Sequence, residues 1–150
     1  MTEKKAKILG VDFGDARTGL AVSDDLGLLA TPAGTVYSTY IVETAKKVAE
    51  KAVELGAAKI VIGMPINMNG TEGPMAEHVR EFAKLVEDQL GVGASIEFFD
   101  ERCSTMAAHQ ILNFTDTKGK RRKNVVDTLS AQIILQNYLD SHRSAQAPAT

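Results

Sequence analysis

The sequence predicts a single α/β domain in which a mixed five-stranded sheet is flanked by helices. Short apolar runs separated by glycine-containing turns come first, and segments with helical spacing then alternate with further apolar runs. The length of 150 residues suits one domain with one sizeable core. We expect this domain to span residues 1–141. The Ala-, Ser- and Pro-rich segment 142–150 is predicted to be a disordered tail.

The first part of the chain is predicted to form a three-stranded meander. The strands are expected at residues 7–14, 20–24 and 27–37. In the first strand, the period-2 alternation of side chains places Ile8, Gly10 and Asp12 on one face. The connection to the second strand is short enough for a hairpin. Pro32 indicates that the third strand lies at an edge or contains a bulge.

Helices and strands alternate in the second part of the chain. Helices are predicted at about 40–55, 75–90, 104–112 and 125–139, and strands at 60–63 and 95–101. The polar stretch 113–124 is predicted to be a loop, and its length points to function or mobility. Three meandering strands followed by αβαβ and further helices is the element order of the ribonuclease H-like fold, with helices covering a mixed sheet.

The composition excludes several classes of protein. It is 44% hydrophobic and 24% charged, which is ordinary for a globular domain. No apolar run approaches the roughly 18 residues of a membrane helix, and the charged N-terminus has no apolar segment typical of a secretory signal. The one cysteine cannot form an internal disulfide. We therefore expect a cytoplasmic protein that does not contact membranes.

The overall charge argues against a nucleic-acid binder that is basic throughout. The formal net charge is -2, and the pI is about 5.9. The chain has no Trp, three Tyr and five Phe, a low aromatic content that argues against an aromatic platform for stacking bases.

Three carboxylates are candidate catalytic and metal-binding residues. Asp12 ends the first strand, Glu101 ends the fifth, and Asp127 lies in the first turn of the last helix. Each has a structural alternative: Asp12 could cap a turn, Glu101 could belong to a solvated ion-pair cluster, and Asp127 could complement the helix dipole. The location of Asp12 and Glu101 favours function, because ligands of open α/β sheets bind beyond the carboxyl ends of the strands.

An all-carboxylate site predicts a particular metal chemistry. Ser130, Ala131 and Ile134 follow Asp127 at helical spacing, so this face should pack on the sheet and direct Asp127 inward. Carboxylate oxygens suit Mg²⁺ or Mn²⁺ and not zinc. Two such ions roughly 3.5–4 Å apart can support phosphodiester hydrolysis. The sequence contains no Walker-type, HExxH or GxSxG motif.

Seven basic residues are candidates for binding nucleic-acid phosphates. They are Arg17, Arg102, Lys118, Lys120, Arg121, Arg122 and Lys123. The run at 118–123 could be a solvated loop, but its place just before Asp127 also suits a phosphate clamp. We favour phosphate contacts for Arg17, in the first turn, and for Arg102, beside Glu101.

The assembled motifs resemble the YqgF family, the Holliday-junction-resolvase-like nucleases assigned to trimming of pre-16S ribosomal RNA. The matching stretches are GVDFGDARTGLAVSD, IVIGMPINMNGTEG, FFDERCSTMAAHQIL and VVDTLSAQIILQNYLD. The resemblance implies a ribonuclease H-like fold. It also implies that Asp12, Glu101 and Asp127 bind the catalytic divalent metal, and it aligns Arg17 and Arg102 with family arginines. The CST sequence at 103–105 and Ser130 depart from common family residues without touching the acidic set.

The resemblance predicts a metal-dependent nuclease acting on structured nucleic acid, with the 5′ end of pre-16S ribosomal RNA as the favoured substrate. A Holliday junction resolvase acting on DNA stays open, as does a non-catalytic nucleic-acid or transcription-associated module. The glycine-containing hairpin also resembles the phosphate-binding hairpin of actin- and Hsp70-type ATPases, but 150 residues supply one lobe of such an enzyme. The sequence does not indicate an oligomeric state.

Overall fold

The computed structural model describes residues 6–67, 69–91, 95–100 and 119–146, with side chains of the last helix described over 128–142. The strands are β1 (Lys7–Asp12), β2 (Arg17–Ser23), β3 (Ala30–Tyr37), β4 (Ala57–Met64) and β5 (Ser95–Asp100). The helices are α1 (Ile41–Leu55), α2 (Pro74–Leu90) and α3 (Gly119–Gln146). The helix predicted at 104–112 lies outside the described residues.

The five strands form one mixed sheet in the order β3-β2-β1-β4-β5. The three-stranded meander is antiparallel, as predicted, whereas β4 and β5 run parallel to β1. β1 is therefore the central strand, and its partners fix its register on both sides: Asp12 pairs with Gly19, and Val11 pairs with Ile62. The predicted α/β class and mixed five-stranded sheet are confirmed.

Helices cover both faces of this sheet and create two apolar cores. In β1, Leu9 and Val11 face the core shared with α1 and α2, whereas Ile8 and Gly10 face α3. The alternation predicted for β1 is thus confirmed. The α3 core contains the buried residues Ala21, Ala30, Val61, Ala131, Ile134, Leu135, Tyr138 and Leu139.

The strand β3 lies at an edge of the sheet and also contains an irregularity. Its register against β2 shifts between Leu20 and Ala21, whose partners are Gly34 and Pro32. Gly34 has a φ of 101°, a conformation that favours glycine. The edge position and the bulge, which Pro32 indicated as alternatives, occur together.

The last helix is longer than the sequence predicts. The basic residues 120–123 were predicted to lie in a loop, and that prediction is wrong because α3 begins at Gly119. Lys and Arg have high helix propensity, so the charged run continues the helical pattern that follows it. At the other end, α3 continues to Gln146 and includes the start of the segment predicted to be a disordered tail. His142 packs there on the ring of Tyr138, with a centroid distance of 4.0 Å.

None of the helices in the described part of the chain is long and apolar enough to cross a membrane.

Candidate active site at the carboxyl ends of the strands

Three parallel strands end side by side, and the row formed by their carboxyl ends is one edge of the sheet. β1 ends at Asp12, β4 at Met64 and β5 at Asp100, and the last two residues are paired in register. The antiparallel strand β2 begins at this edge with Arg17, and β3 ends there with Tyr37. This edge is where ligands of open α/β sheets bind, and it is the region to which the sequence assigned the candidate site.

Asp12 is half-buried at the centre of this edge. Side-chain alternation along β1 places Asp12 on the α3 face, with Ile8 and Gly10. Phe13, the next residue, instead faces the opposite core and stacks on Phe82 with a centroid distance of 4.6 Å. A half-buried carboxylate beside a helix needs polar or ionic partners, since an uncompensated one is costly.

The helix α3 packs closely against β1 because Gly10 has no side chain. A Cβ atom at Gly10 would lie 2.7 Å from the Cβ of Leu135 and 3.2 Å from the carbonyl oxygen of Ala131. Nearer the start of β1, Ile8 packs with the α3 core. Lys59 of β4, which pairs with Ile8, donates a hydrogen bond to the Tyr138 hydroxyl of α3. Residue numbers along α3 therefore rise toward the start of β1, so α3 runs antiparallel to β1.

Because of this direction, the earlier turns of α3 lie toward the edge that holds Asp12. Asp127 is on α3, one helical turn before Ala131, and its side chain lies outside the described set. Ser130 and Ala131 are buried and Ile134 is 1% exposed, which agrees with the prediction that this face packs on the sheet.

Glu101 lies outside the described residues, immediately after β5. Within β5, Phe99 contacts Tyr138 of α3 edge-to-face at a centroid distance of 6.3 Å. Alternation therefore directs Asp100 to the opposite face of the sheet. Arg102 also lies outside the described residues.

The β1–β2 turn holds Arg17 at the same edge and on the same face as Asp12. Gly14 permits the tight turn, since a Cβ atom there would lie 2.3 Å from the carbonyl oxygen of Arg17. The buried Thr18 hydroxyl accepts a hydrogen bond from the Gly14 N–H at 3.3 Å. Arg17 is diagonal to Asp12 across the β1–β2 pair, because Asp12 is opposite Gly19. Such diagonal neighbours are about 7–8 Å apart.

The structure describes only part of the basic run at 118–123 that was predicted to bind phosphate. Lys118 lies outside them. Lys120, Arg121, Arg122 and Lys123 lie in the first turns of α3, and their side chains are outside the described set. Cations at a helix N-terminus oppose the helix dipole, while the free N–H groups of such a terminus attract anions.

The connection after β4 contributes a compact loop to this edge. The Asn67 N–H donates to the carbonyl of Thr71 at 2.8 Å, and the Asn67 side-chain amide donates to the Thr71 hydroxyl at 3.1 Å. The Arg80 guanidinium donates to Glu72 and thereby holds the pKa of that carboxyl below its usual range. The loop is thus tied to α2.

Sequence reasoning missed one residue at this edge. Tyr37 is 55% exposed and pairs directly with Arg17, although the low aromatic content argued against a stacking surface. The available signal was position: Tyr37 ends the strand predicted at 27–37.

The described residues contain no group of three or more His, Cys, Asp or Glu side chains suited to hold a metal ion. Of the three predicted ligands, only Asp12 has a described side chain. The metal and catalytic roles of Asp12, Glu101 and Asp127 stay predictions.

Comparison with a known fold agrees with this architecture. RuvC from T. thermophilus, solved in complex with a Holliday junction substrate, matches with a TM-score of 0.59 at 14% sequence identity. The match covers 97% of this chain and 100% of that chain. This similarity identifies the fold as ribonuclease H-like.

Comparison of sequences identifies the family. The "Putative pre-16S rRNA nuclease" of Myxococcus xanthus is 42% identical over 137 residues, which cover 91% of this chain and 89% of that protein. A protein of the same name from Ruminiclostridium cellulolyticum is 43% identical over 135 residues, covering 89% and 94%. The family model described as "RuvX: Holliday junction resolvase" matches residues 6–141. The chain therefore belongs to this RuvX, or YqgF, family of nucleases, which confirms the resemblance found in the sequence.

Proposed function

We propose that this protein is a divalent-metal-dependent nuclease that hydrolyses phosphodiester bonds of structured nucleic acid. We propose further that it processes the 5′ end of pre-16S ribosomal RNA in the cytoplasm. The names of the two similar proteins support this substrate. The observation that carries the proposal is the half-buried Asp12 at the carboxyl end of the central strand, on the same face of the sheet as Arg17 and α3.

Asp12, Glu101 and Asp127 would hold Mg²⁺ or Mn²⁺. The step from Gly10 to Asp12 advances about 6.6 Å along β1, which equals about four residues of an α-helix. Gly10 contacts Ala131 and Leu135, so Asp12 is level with the part of α3 around residue 128. This estimate supports Asp127 as its neighbour.

The proposal for Glu101 rests on the alternation of β5. Phe99 faces α3, and the position two residues later in a continuing strand would return to that side. The three carboxylates would then share the α3 side of one sheet edge. A set made only of carboxylate oxygens fits Mg²⁺ or Mn²⁺.

The remaining residues of the site would bind and orient the substrate. When bound, the metal supplies an activated water and offsets charge on the scissile phosphate. Arg17 lies on the same face as Asp12 and would contact a phosphate next to the cleaved one. Arg102, Lys118 and the basic residues at the start of α3 would hold the backbone of the nucleic acid.

Isosteric substitutions test the three carboxylates. Asp12→Asn, Glu101→Gln and Asp127→Asn should each abolish Mn²⁺-dependent cleavage of a pre-16S RNA fragment and leave the melting temperature within a few degrees. Asp100→Asn is the matched control, because Asp100 precedes Glu101 but alternates to the other face, and it should retain activity. Full activity in all three variants would contradict the site. Anomalous scattering from a crystal soaked in Mn²⁺ tests the ligand set directly.

A second substrate is favoured by the description of the family as Holliday junction resolvases. A four-way DNA junction should therefore be assayed beside the RNA fragment with the same variants. If the protein cleaved the junction and not the RNA fragment, the substrate of the proposed site would be DNA. Metal-independent binding of either substrate without cleavage would instead indicate a non-catalytic module.

A further inference from the structure

Tyr37 is a large aromatic residue at the sheet edge that holds the candidate site. It ends β3, its side chain is 55% exposed, and its register partner on β2 is Arg17. Val36, the preceding residue, packs against the α1–α2 core. Alternation therefore places Tyr37 on the opposite face, which is the α3 face that also carries Arg17 and Asp12.

The distance from Tyr37 to Asp12 suits a nucleotide close to the cleaved bond. Two strand spacings of about 4.8 Å and two residues of about 3.3 Å separate them, so their Cα atoms are roughly 12 Å apart. Arg17 lies between them in the sheet, because β2 separates β3 from β1. An aromatic ring, a cation and a carboxylate thus follow one another along one edge.

The outer side of β3, which no described strand of the sheet covers, is poorly suited to pairing with a strand of another chain. Pro32 lacks an N–H donor, and the register shift beside it interrupts a regular ladder. A second chain adding to this edge is therefore disfavoured. A single planar group can use the Tyr37 ring without a regular strand edge, and the adjacent Arg17 favours a group that carries phosphate.

We propose that Tyr37 stacks on an unpaired base of the nucleic acid next to the scissile phosphate, while Arg17 holds a phosphate of the same strand. This inference rests on the proposed nuclease function and adds a substrate preference to it. A base can reach the ring only if it is unstacked, so the protein should prefer substrates with an unpaired nucleotide beside the cleavage site. Stacking of a base on an aromatic side chain is tolerant of sequence.

The test measures binding without cleavage. Fluorescence anisotropy of a labelled RNA with a single-stranded flank is recorded in EDTA for the full chain. Tyr37→Ala should weaken binding by about fivefold to 150-fold, the range expected for loss of one stacked base. Tyr37→Phe should bind within about twofold of the original protein, because the ring is retained. Tyr40→Ala is the control: Tyr40 is 72% exposed and precedes α1, which covers the other face.

An abasic scan identifies the stacked nucleotide. One abasic position in the flank should weaken binding of the original protein and should have no further effect on Tyr37→Ala. Equal binding by Tyr37→Ala and the original protein would overturn the inference, as would equal losses in Tyr37→Ala and Tyr37→Phe. An equal loss in Tyr40→Ala would also overturn it. Because cleavage is not measured, failure of the proposed nuclease activity would be recognised separately in the Mn²⁺ assay.

Discussion

Gly10 of β1 lies directly against the side chain of Leu135 on α3. A Cβ atom at Gly10 would come within 2.7 Å of the Leu135 Cβ, a distance that real Cβ atoms essentially never show. The depth of α3 on the sheet therefore depends on the absence of one carbon. Since α3 carries Asp127 and β1 carries Asp12, we expect this contact to affect the separation of the two candidate ligands.

Gly10→Ala should displace α3 and lower the free energy of unfolding by about 1–3 kcal/mol, as overpacking of a core does. Nuclease activity should fall further than stability alone explains, because the two candidate ligands move apart. Urea unfolding and Mn²⁺-dependent cleavage measure the two effects. Gly73→Ala is the control: its Cβ would meet only Asn67 atoms at 3.8 Å. An unchanged activity in Gly10→Ala would contradict the proposed role of helix depth.

Gly14→Ala should open the β1–β2 turn, since the new Cβ would lie 2.3 Å from the carbonyl oxygen of Arg17. We expect a loss of about 2 kcal/mol in stability, which is typical of a steric change in a tight turn. Arg17 would lose its place beside Asp12, so binding of RNA in EDTA should weaken as well. Arg17→Gln should cause the same loss of binding without the turn defect. Normal RNA binding by the Gly14→Ala protein would contradict the proposed phosphate contact of Arg17.

Much of the fold follows from local patterns. The alternation of Leu9 and Val11 with Gly10 and Asp12 is sufficient to assign the two faces of β1, because side chains in a strand alternate strictly. The end of α1 was equally predictable, since Gly56 adopts φ 70° as a left-handed cap. Both features depend on neighbouring residues only.

Two features were missed, one because the charge of a run outweighed its helix propensity and the other because it depends on contacts between distant residues. The loop predicted at 113–124 is partly helix because Lys and Arg favour helices, whereas charge alone suggested a solvated segment. The position of Tyr37 beside the candidate site becomes visible only when β3 pairs with β2, because this pairing places Tyr37 opposite Arg17. Composition counted three tyrosines but could not show where they lie.

Neutralising the start of α3 should reduce the salt dependence of RNA binding. In the triple variant Lys120→Gln, Arg121→Gln and Arg122→Gln, the slope of log K against log salt should become shallower by about 2, since each phosphate contact contributes about 0.7–0.9. Fluorescence anisotropy at several salt concentrations measures it. The control neutralises Lys46, Lys47 and Lys51 of α1, on the other face of the sheet. If the slope changed equally in both variants, the effect would come from net charge and not from phosphate contacts at the start of α3.

The hydrogen bond between Lys59 and Tyr138 joins β4 to α3 far from the candidate site. The Lys59 ammonium donates to the Tyr138 hydroxyl at 2.9 Å, and Glu97 lies 3.8 Å from the same nitrogen. The hydroxyl contact is the main cause that raises the pKa of Lys59, and burial raises the pKa of Tyr138. His142 of α3 lies 3.9 Å from Glu97 and completes the cluster.

Both pKa shifts predict that folding stability declines in alkali. A raised folded pKa contributes stability that is fully present below the unfolded value, 10.5 for Lys59 and 10.0 for Tyr138, and is lost as the pH rises through the folded value. Tyr138→Phe should therefore lower the free energy of unfolding by about 1 kcal/mol at pH 8, a reduced figure because Lys59 is partly exposed. The difference from the original protein should shrink above pH 10.5, because the original protein then loses the same interaction. Urea unfolding across pH 8–11 measures it, and a difference that stays constant with pH would assign the effect to packing of the ring.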